Sequence, residues 1–201
     1  MRRWLPFVLA LLLAACANVQ RMSGEQIVNE RLAVTVSQDW NKVSDPWDVD
    51  PYDTWTREGI PLDHLRFWGG VRPGQTLMTK PALFSRAPDA KAPRVPTFRP
   101  GLPPEKLVSL FEELYATAGT VTITKMEPAV FVGQKGVRFE FTLARRRDDL
   151  TMQGVGWVAV RPDATYGEEL YAATFVAPKL SFFDRLLPMA EAVVKTARVK
   201  G

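Results

Sequence analysis

The chain has 201 residues, 26 Lys and Arg against 22 Asp and Glu, one histidine and one cysteine. A formal charge of +4 at pH 7 lacks the strong basic imbalance of a nucleic-acid binder. A single cysteine excludes an internal disulfide framework, and a single histidine excludes a multi-histidine zinc site.

The first 16 residues divide into three parts. Met1-Arg2-Arg3 is basic, Trp4 to Leu13 is apolar apart from Pro6, and Ala14-Ala15 leads into Cys16. From Trp4 to Ala15 a helix would be roughly 18 Å long. That is too short for a bilayer core of about 30 Å. Residues 1–15 therefore read as a removable signal peptide. Their loss would take away Arg2 and Arg3 and bring the net charge to about +2. Residues 16–30 are polar and contain Ser23-Gly24, which predicts a flexible tether before a single domain at 31–199.

In that domain Leu32, Val34 and Val36 alternate, which predicts a strand. Gln38 to Asp53, with Pro46 and Pro51, reads as a long turn-rich connection. Asp53 to Arg57 is a second candidate strand. Leu62 to Val71 fits a strand or a helical turn, with strand preferred, and Thr76 to Thr79 is a further short strand candidate. Pro88, Pro93, Pro96, Pro100, Pro103 and Pro104 exclude a helix or central strand over the Pro-rich loop 85–104.

A helix opens at Pro103-Pro104-Glu105 and carries Leu107, Leu110, Phe111 and Leu114 on one stripe. Four alternating runs follow, at 121–124, 136–143, 155–160 and 170–176. Val137, Phe139, Phe141 and Leu143 share one face of their run, which predicts an antiparallel meander covered on one side. Arg145-Arg146-Arg147 before Asp148-Asp149 reads as a solvated hairpin tip. Ser181 and Asp184 suggest a capping box for a last helix with Phe183, Leu186, Leu187, Ala190, Val193 and Val194. Pro188 should kink that helix or mark its true first turn. The fold class is α+β: an antiparallel sheet packed by two amphipathic helices.

Leu13-Ala14-Ala15-Cys16 resembles the lipobox of bacterial lipoproteins. The resemblance implies cleavage before Cys16, a lipidated thiol and an acylated (palmitate-bearing) amino terminus, with membrane contact through that lipid. Two or more acyl chains give stable anchoring where one is marginal. Ala17-Asn18 lacks the aspartate that favours inner-membrane retention in enterobacterial lipoproteins. The resemblance thus implies the outer membrane, facing the periplasm.

The element order, carried by 32–40, the helix from Glu105, the meander from Gly136 to Ala177 and 183–198, is similar to the PsbP-like fold. The stretch Trp55-Thr56-x-x-Gly59-x-x-Leu62-Asp63-x-Leu65 is similar to uncharacterised proteobacterial lipoproteins. These resemblances imply a non-enzymatic binding or assembly module with no catalytic residue to carry over.

Candidate sites are few. His64 would have to serve any triad, yet Asp63 points to the opposite side of a strand and no Gly-x-Ser-x-Gly is present. A structural or surface histidine is the preferred reading. Asp45, Asp48, Asp50 and Asp53 lack the spacing of a calcium loop. No phosphate-binding glycine loop follows a strand, so no cofactor or metal is expected. The unusual cluster is Trp40, Trp47, Tyr52, Trp55 and Trp68 among aspartates. Trp40, Trp55 and Trp68 are expected in the core. Trp47 and Tyr52, held out of the sheet by neighbouring prolines, are the candidate binding residues for an envelope protein or glycan partner. The competing reading is a carboxylate-based envelope hydrolase acting on glycans, which needs a pair of acids.

Overall fold

The computed structural model describes residues 18–44, 50–60, 62–79 and 95–200. The leader, Cys16 and Trp47 lie outside these residues. A nine-stranded antiparallel sheet runs in the order β1-β2-β3-β4-β8-β7-β6-β5, with β9 paired to β2. The strands are β1 Asn18–Val28, β2 Leu32–Ser44, β3 Tyr52–Thr56, β4 His64–Val71, β5 Gly119–Phe131, β6 Gln134–Arg145, β7 Thr151–Asp163, β8 Gly167–Pro178 and β9 Arg198–Val199. The helices are α1, Pro104–Ala116, and α2, Phe183–Val194. The α+β class stands. Among the described residues no helix is long and apolar enough to cross a membrane.

Within the stretch 16–30 expected to be a tether, residues 18–28 form a strand. β1 pairs with β2 from Asn18↔Ser44 to Val28↔Leu32, with a bulge between Met22 and Gly24. Its core side is marked only by Met22 and Val28, because Gly24 and Gln26 occupy the positions opposite Val36 and Val34. An edge strand so poor in apolar residues has no legible period two. The turn-rich connection expected from Gln38 is likewise shorter, since β2 continues to Ser44.

The sheet is covered on both faces, not one. Val137, Phe139, Phe141 and Leu143 of β6 pack with Leu107, Leu110, Phe111 and Leu114 of α1. The opposite face carries Val34, Trp40, Trp55, Phe67, Trp157 and Phe175 under Phe183, Leu186, Ala190 and Val193 of α2. Strand β8 serves both layers. Leu170, Ala172 and Val176 face α1, whereas Tyr171, Ala173, Phe175 and Ala177 face α2. A strand buried on both sides reads as a continuous apolar run.

Other local expectations shift for identifiable reasons. Thr76 makes only an isolated bridge to Thr97. That bridge seats the fully buried Leu77 and Phe98 beside the α1 layer. β5 is longer than its alternating core because it is an edge, and there it tolerates Pro128. No capping box forms at α2: Ser181 has φ of 71°, Phe182 is the N-cap, and no side chain caps the helix. Pro188 lies inside the helix.

The Trp55-to-Leu65 stretch owes its pattern to one carboxylate. Fully buried Asp63 accepts bonds from the Thr56 hydroxyl at 2.8 Å, the Arg57 N–H at 2.9 Å and the Glu58 N–H at 2.7 Å. Gly59, at φ 113°, closes this turn, and its N–H donates to Thr56 Oγ1 at 2.8 Å. A second buried carboxylate, Glu169, joins distant segments: Arg31 donates to it at 2.6 Å and the Tyr171 hydroxyl at 2.8 Å. Burial, and then Glu169, push the Tyr171 phenol up to about 12.

Asp63→Ala would strand three donors, the Thr56 hydroxyl among them buried, and is expected to destabilise the fold by about 2–4 kcal/mol in chemical denaturation. Gly156 lies opposite Phe139, and an added Cβ would come within 2.2 Å of that ring. Gly156→Ala is expected to cost about 1–3 kcal/mol by the same measurement.

Candidate functional site

The α1 face of the sheet is apolar except beside the last turn of α1. There, alternation along β4 turns His64, Arg66 and Trp68 toward α1, while Leu65 and Phe67 go to the other core. A cavity of about 230 Å³ opens at this place. Its polar lining is Tyr52, His64, Arg66, Tyr115, Thr117 and Arg145, and its walls include Leu114, Leu143, Met152 and Val176.

Tyr115 extends the α1 stripe by one turn beyond Phe111, so its ring is buried. Its hydroxyl is 2.7 Å from Thr174 Oγ1 of β8 and 3.4 Å from His64 Nε2. The His64 and Tyr115 rings stack at 6.0 Å. Burial, then the positive charges of Arg66 and Arg145, hold the His64 imidazole well below its usual range. It is therefore neutral at pH 7. Burial pushes the Tyr115 phenol up, against the opposing pull of Arg66 and the bond with Thr174.

Arg66 lies over the Tyr52 ring, with its guanidinium carbon 4.7 Å from the centroid. Its Nε is buried and has no hydrogen-bond partner among the described residues. Asp50 is close by, but one of its oxygens accepts the Thr79 N–H at 2.6 Å and its carboxyl also bonds Tyr52. Burial raises the Asp50 carboxyl; hydrogen bonds from Tyr52 and Thr79, with Arg66 nearby, outweigh this and leave it below the usual range. Burial pushes the Tyr52 phenol up as well. Arg145 makes a two-point pair with Asp148 at 2.8 and 2.6 Å.

Of the residues singled out from sequence, Tyr52 lines this cavity. It does so as the first residue of β3, not from a loop outside the sheet. Trp40, Trp55 and Trp68 are fully buried, as expected. Trp68 donates through Nε1 to the Leu77 carbonyl at 2.9 Å and supports Tyr52 at 4.9 Å. Asp50 and Asp53 are turned to different partners, since Asp53 pairs with Lys42 at 2.6 Å. Trp47, Asp45 and Asp48 lie outside the described residues. Arg66, Tyr115, Thr174 and Arg145 carry no sequence signal as a group, because they stand on four separate elements. A larger groove of about 500 Å³ runs along α1 between Arg99, Lys106, Glu112 and Glu113. Those side chains are exposed and of both signs.

No family model matches the sequence, and no curated protein matches it in sequence. In shape the chain is similar to the solution structure of cyanobacterial PsbP from Synechocystis sp. PCC 6803. The identity is 10%, the TM-score 0.49, and the match covers 93% of this chain and 95% of that one. It is also similar to LpqN of Mycobacterium tuberculosis, a protein involved in cell envelope biogenesis. There the identity is 8%, the TM-score 0.47, and the coverage 96% and 97%. At these identities the likeness concerns shape alone.

The depressed imidazole makes stability depend on pH. Below the ordinary histidine value of 6.5 the unfolded chain takes up a proton that folded His64 refuses. The contribution of neutral His64 is thus complete above that value and is lost as the pH falls toward 5. Melting temperature is expected to drop between pH 7 and pH 5, and His64→Gln to flatten that slope.

Proposed function

We propose that this protein is a lipid-anchored component of the cell envelope whose folded part binds a ligand or partner and performs no chemistry of its own. The reading of the anchor comes from the leader and Cys16. Cys16 stands two residues before Asn18, where β1 begins. Two residues span at most about 7 Å. An acylated Cys16 therefore holds the sheet against the bilayer, with no tether between. This favours contact with components at the membrane surface, in the outer membrane on the periplasmic side.

The cavity beside the end of α1 carries the binding half. It combines apolar walls with a few convergent polar groups, the usual make-up of a ligand site. It is poorly made for catalysis. Glycoside hydrolysis needs two carboxyl groups roughly 5–10 Å apart across a cleft. No carboxylate is among the described lining residues. Glu112 and Glu113, in the other groove, are consecutive on a helix and do not face each other. Among the described residues no acid is hydrogen-bonded to His64, and Asp63 is committed to the turn before β4.

Two measurements test the two halves. Cells fed a radiolabelled fatty acid should label the wild-type chain and not Cys16→Ser, which should also leave the membrane fraction. Equal labelling or retention of the variant would remove the anchor. A photo-crosslinking residue placed at Ile60, an exposed position on the cavity rim, should capture a reproducible adduct in intact cells. No adduct there would remove the binding half.

A further inference from the structure

The cavity's lining narrows what it can hold, given the binding reading above. Arg66 sits between Leu65 and Phe67 on a strand whose neighbours bury both faces. An arginine there carries a desolvation cost that only partners offset. Its ring contact with Tyr52 and its attraction to Asp50 meet part of this. The buried Nε remains without an acceptor among the described residues. Nε and a neighbouring terminal nitrogen form the edge of a guanidinium that takes a carboxylate or phosphate by two parallel bonds. Arg145, engaged by Asp148, contributes field more than donors. Both cations line the cavity, and no carboxylate is among its described lining residues. Leu114, Leu143, Met152 and Val176 meanwhile offer no polar group to a ligand's other end.

We propose that this cavity binds an anionic amphiphile, with one carboxylate or phosphate head on the Arg66 edge beside His64 and Tyr115. The apolar portion lies along Leu114, Leu143, Met152 and Val176. The neutral phenol of Tyr115 and the neutral imidazole of His64 can each donate a bond to such a head without adding charge.

His64 is the only histidine, so its imidazole signals in NMR report on this cavity alone. The full chain carrying Cys16→Ser is titrated with decanoate, decyl phosphate, inorganic phosphate and 1-decanol. Decanoate or decyl phosphate should shift the His64 signals saturably and raise the imidazole pKa, and whichever binds tighter identifies the head. Arg66→Gln should weaken this binding at least ~10-fold, in line with a lost charge-assisted bond. Arg146→Gln, at the exposed hairpin tip, should leave it unchanged. Should Arg66→Gln fail to fold, the wild-type pKa decides, because a neutral ligand cannot raise it in this way. Decanol binding as tightly as decanoate would overturn the anionic class, yet leave a binding module. Inorganic phosphate binding as tightly as decyl phosphate would overturn the apolar half. If none of the four moves His64 the proposal is overturned, while the crosslink at Ile60 still judges the broader binding reading on its own.

Discussion

Burial of β8 on both faces is the constraint from which the rest of the structure follows. Tyr171, Ala173 and Phe175 are covered by α2 and Leu170, Ala172 and Val176 by α1, so neither helix can leave without exposing the centre of the sheet. The small residues on this strand let the layers approach closely. Gly154 and Gly156 on neighbouring β7 do the same by leaving room for the rings of Phe141 and Phe139. Each large side chain thus has a fixed place, which favours one register over its neighbours by the cost of misplacing several aromatic rings.

Polar groups inside such a sandwich need assigned partners, and most have them. Asp63 gathers three donors of its own turn, and Glu169 gathers Arg31 and Tyr171. Thr174 would be an isolated hydroxyl within the α1 layer if Tyr115 did not reach it. Among the described residues four buried nitrogens are left over, Trp40 Nε1, Trp55 Nε1, Arg57 Nη1 and Arg66 Nε, and of these only Arg66 lines the cavity. The candidate site therefore includes one of the places where the rule that buried polar groups are paired is not met. That place is beside the end of α1, where the helix stops covering the sheet.

The edges of the sheet look outward in different ways. β5 protects itself with Pro128 and the Lys125–Glu127 ion pair, whereas β1 is bulged at Met22–Gly24. Because β1 begins so soon after Cys16, the edge carrying Val19 and Arg21 is the part of the fold that an anchor would bring nearest the bilayer.

Much was legible from the residues alone. Helix α1 follows from its proline entry and the Leu107–Leu114 stripe, and the meander from Gly136 onward follows from period two. Both are local patterns that burial enforces on one chain segment at a time. The α+β class follows from their order. β1 was hidden because a bulge and two small or polar residues on its core side erase the period. Two-sided covering was hidden because β6 alone shows a half-exposed pattern, its outer side carrying Arg138 against Glu191 of α2. Tyr52 could be singled out by its neighbours in sequence, but for the wrong reason, since it stands in the sheet.

The sequence by itself determined which segments become helix or strand in the second half, and it holds the single cysteine on which the proposed attachment rests. The tertiary structure alone decided the cavity. His64, Arg66, Tyr115, Arg145 and Thr174 come from β4, α1, β6 and β8, and no spacing along the chain encodes their meeting. Only the antiparallel pairing of β4 with β8, and the packing of α1 across them, bring a half-buried guanidinium, a neutral imidazole and an apolar wall to one place.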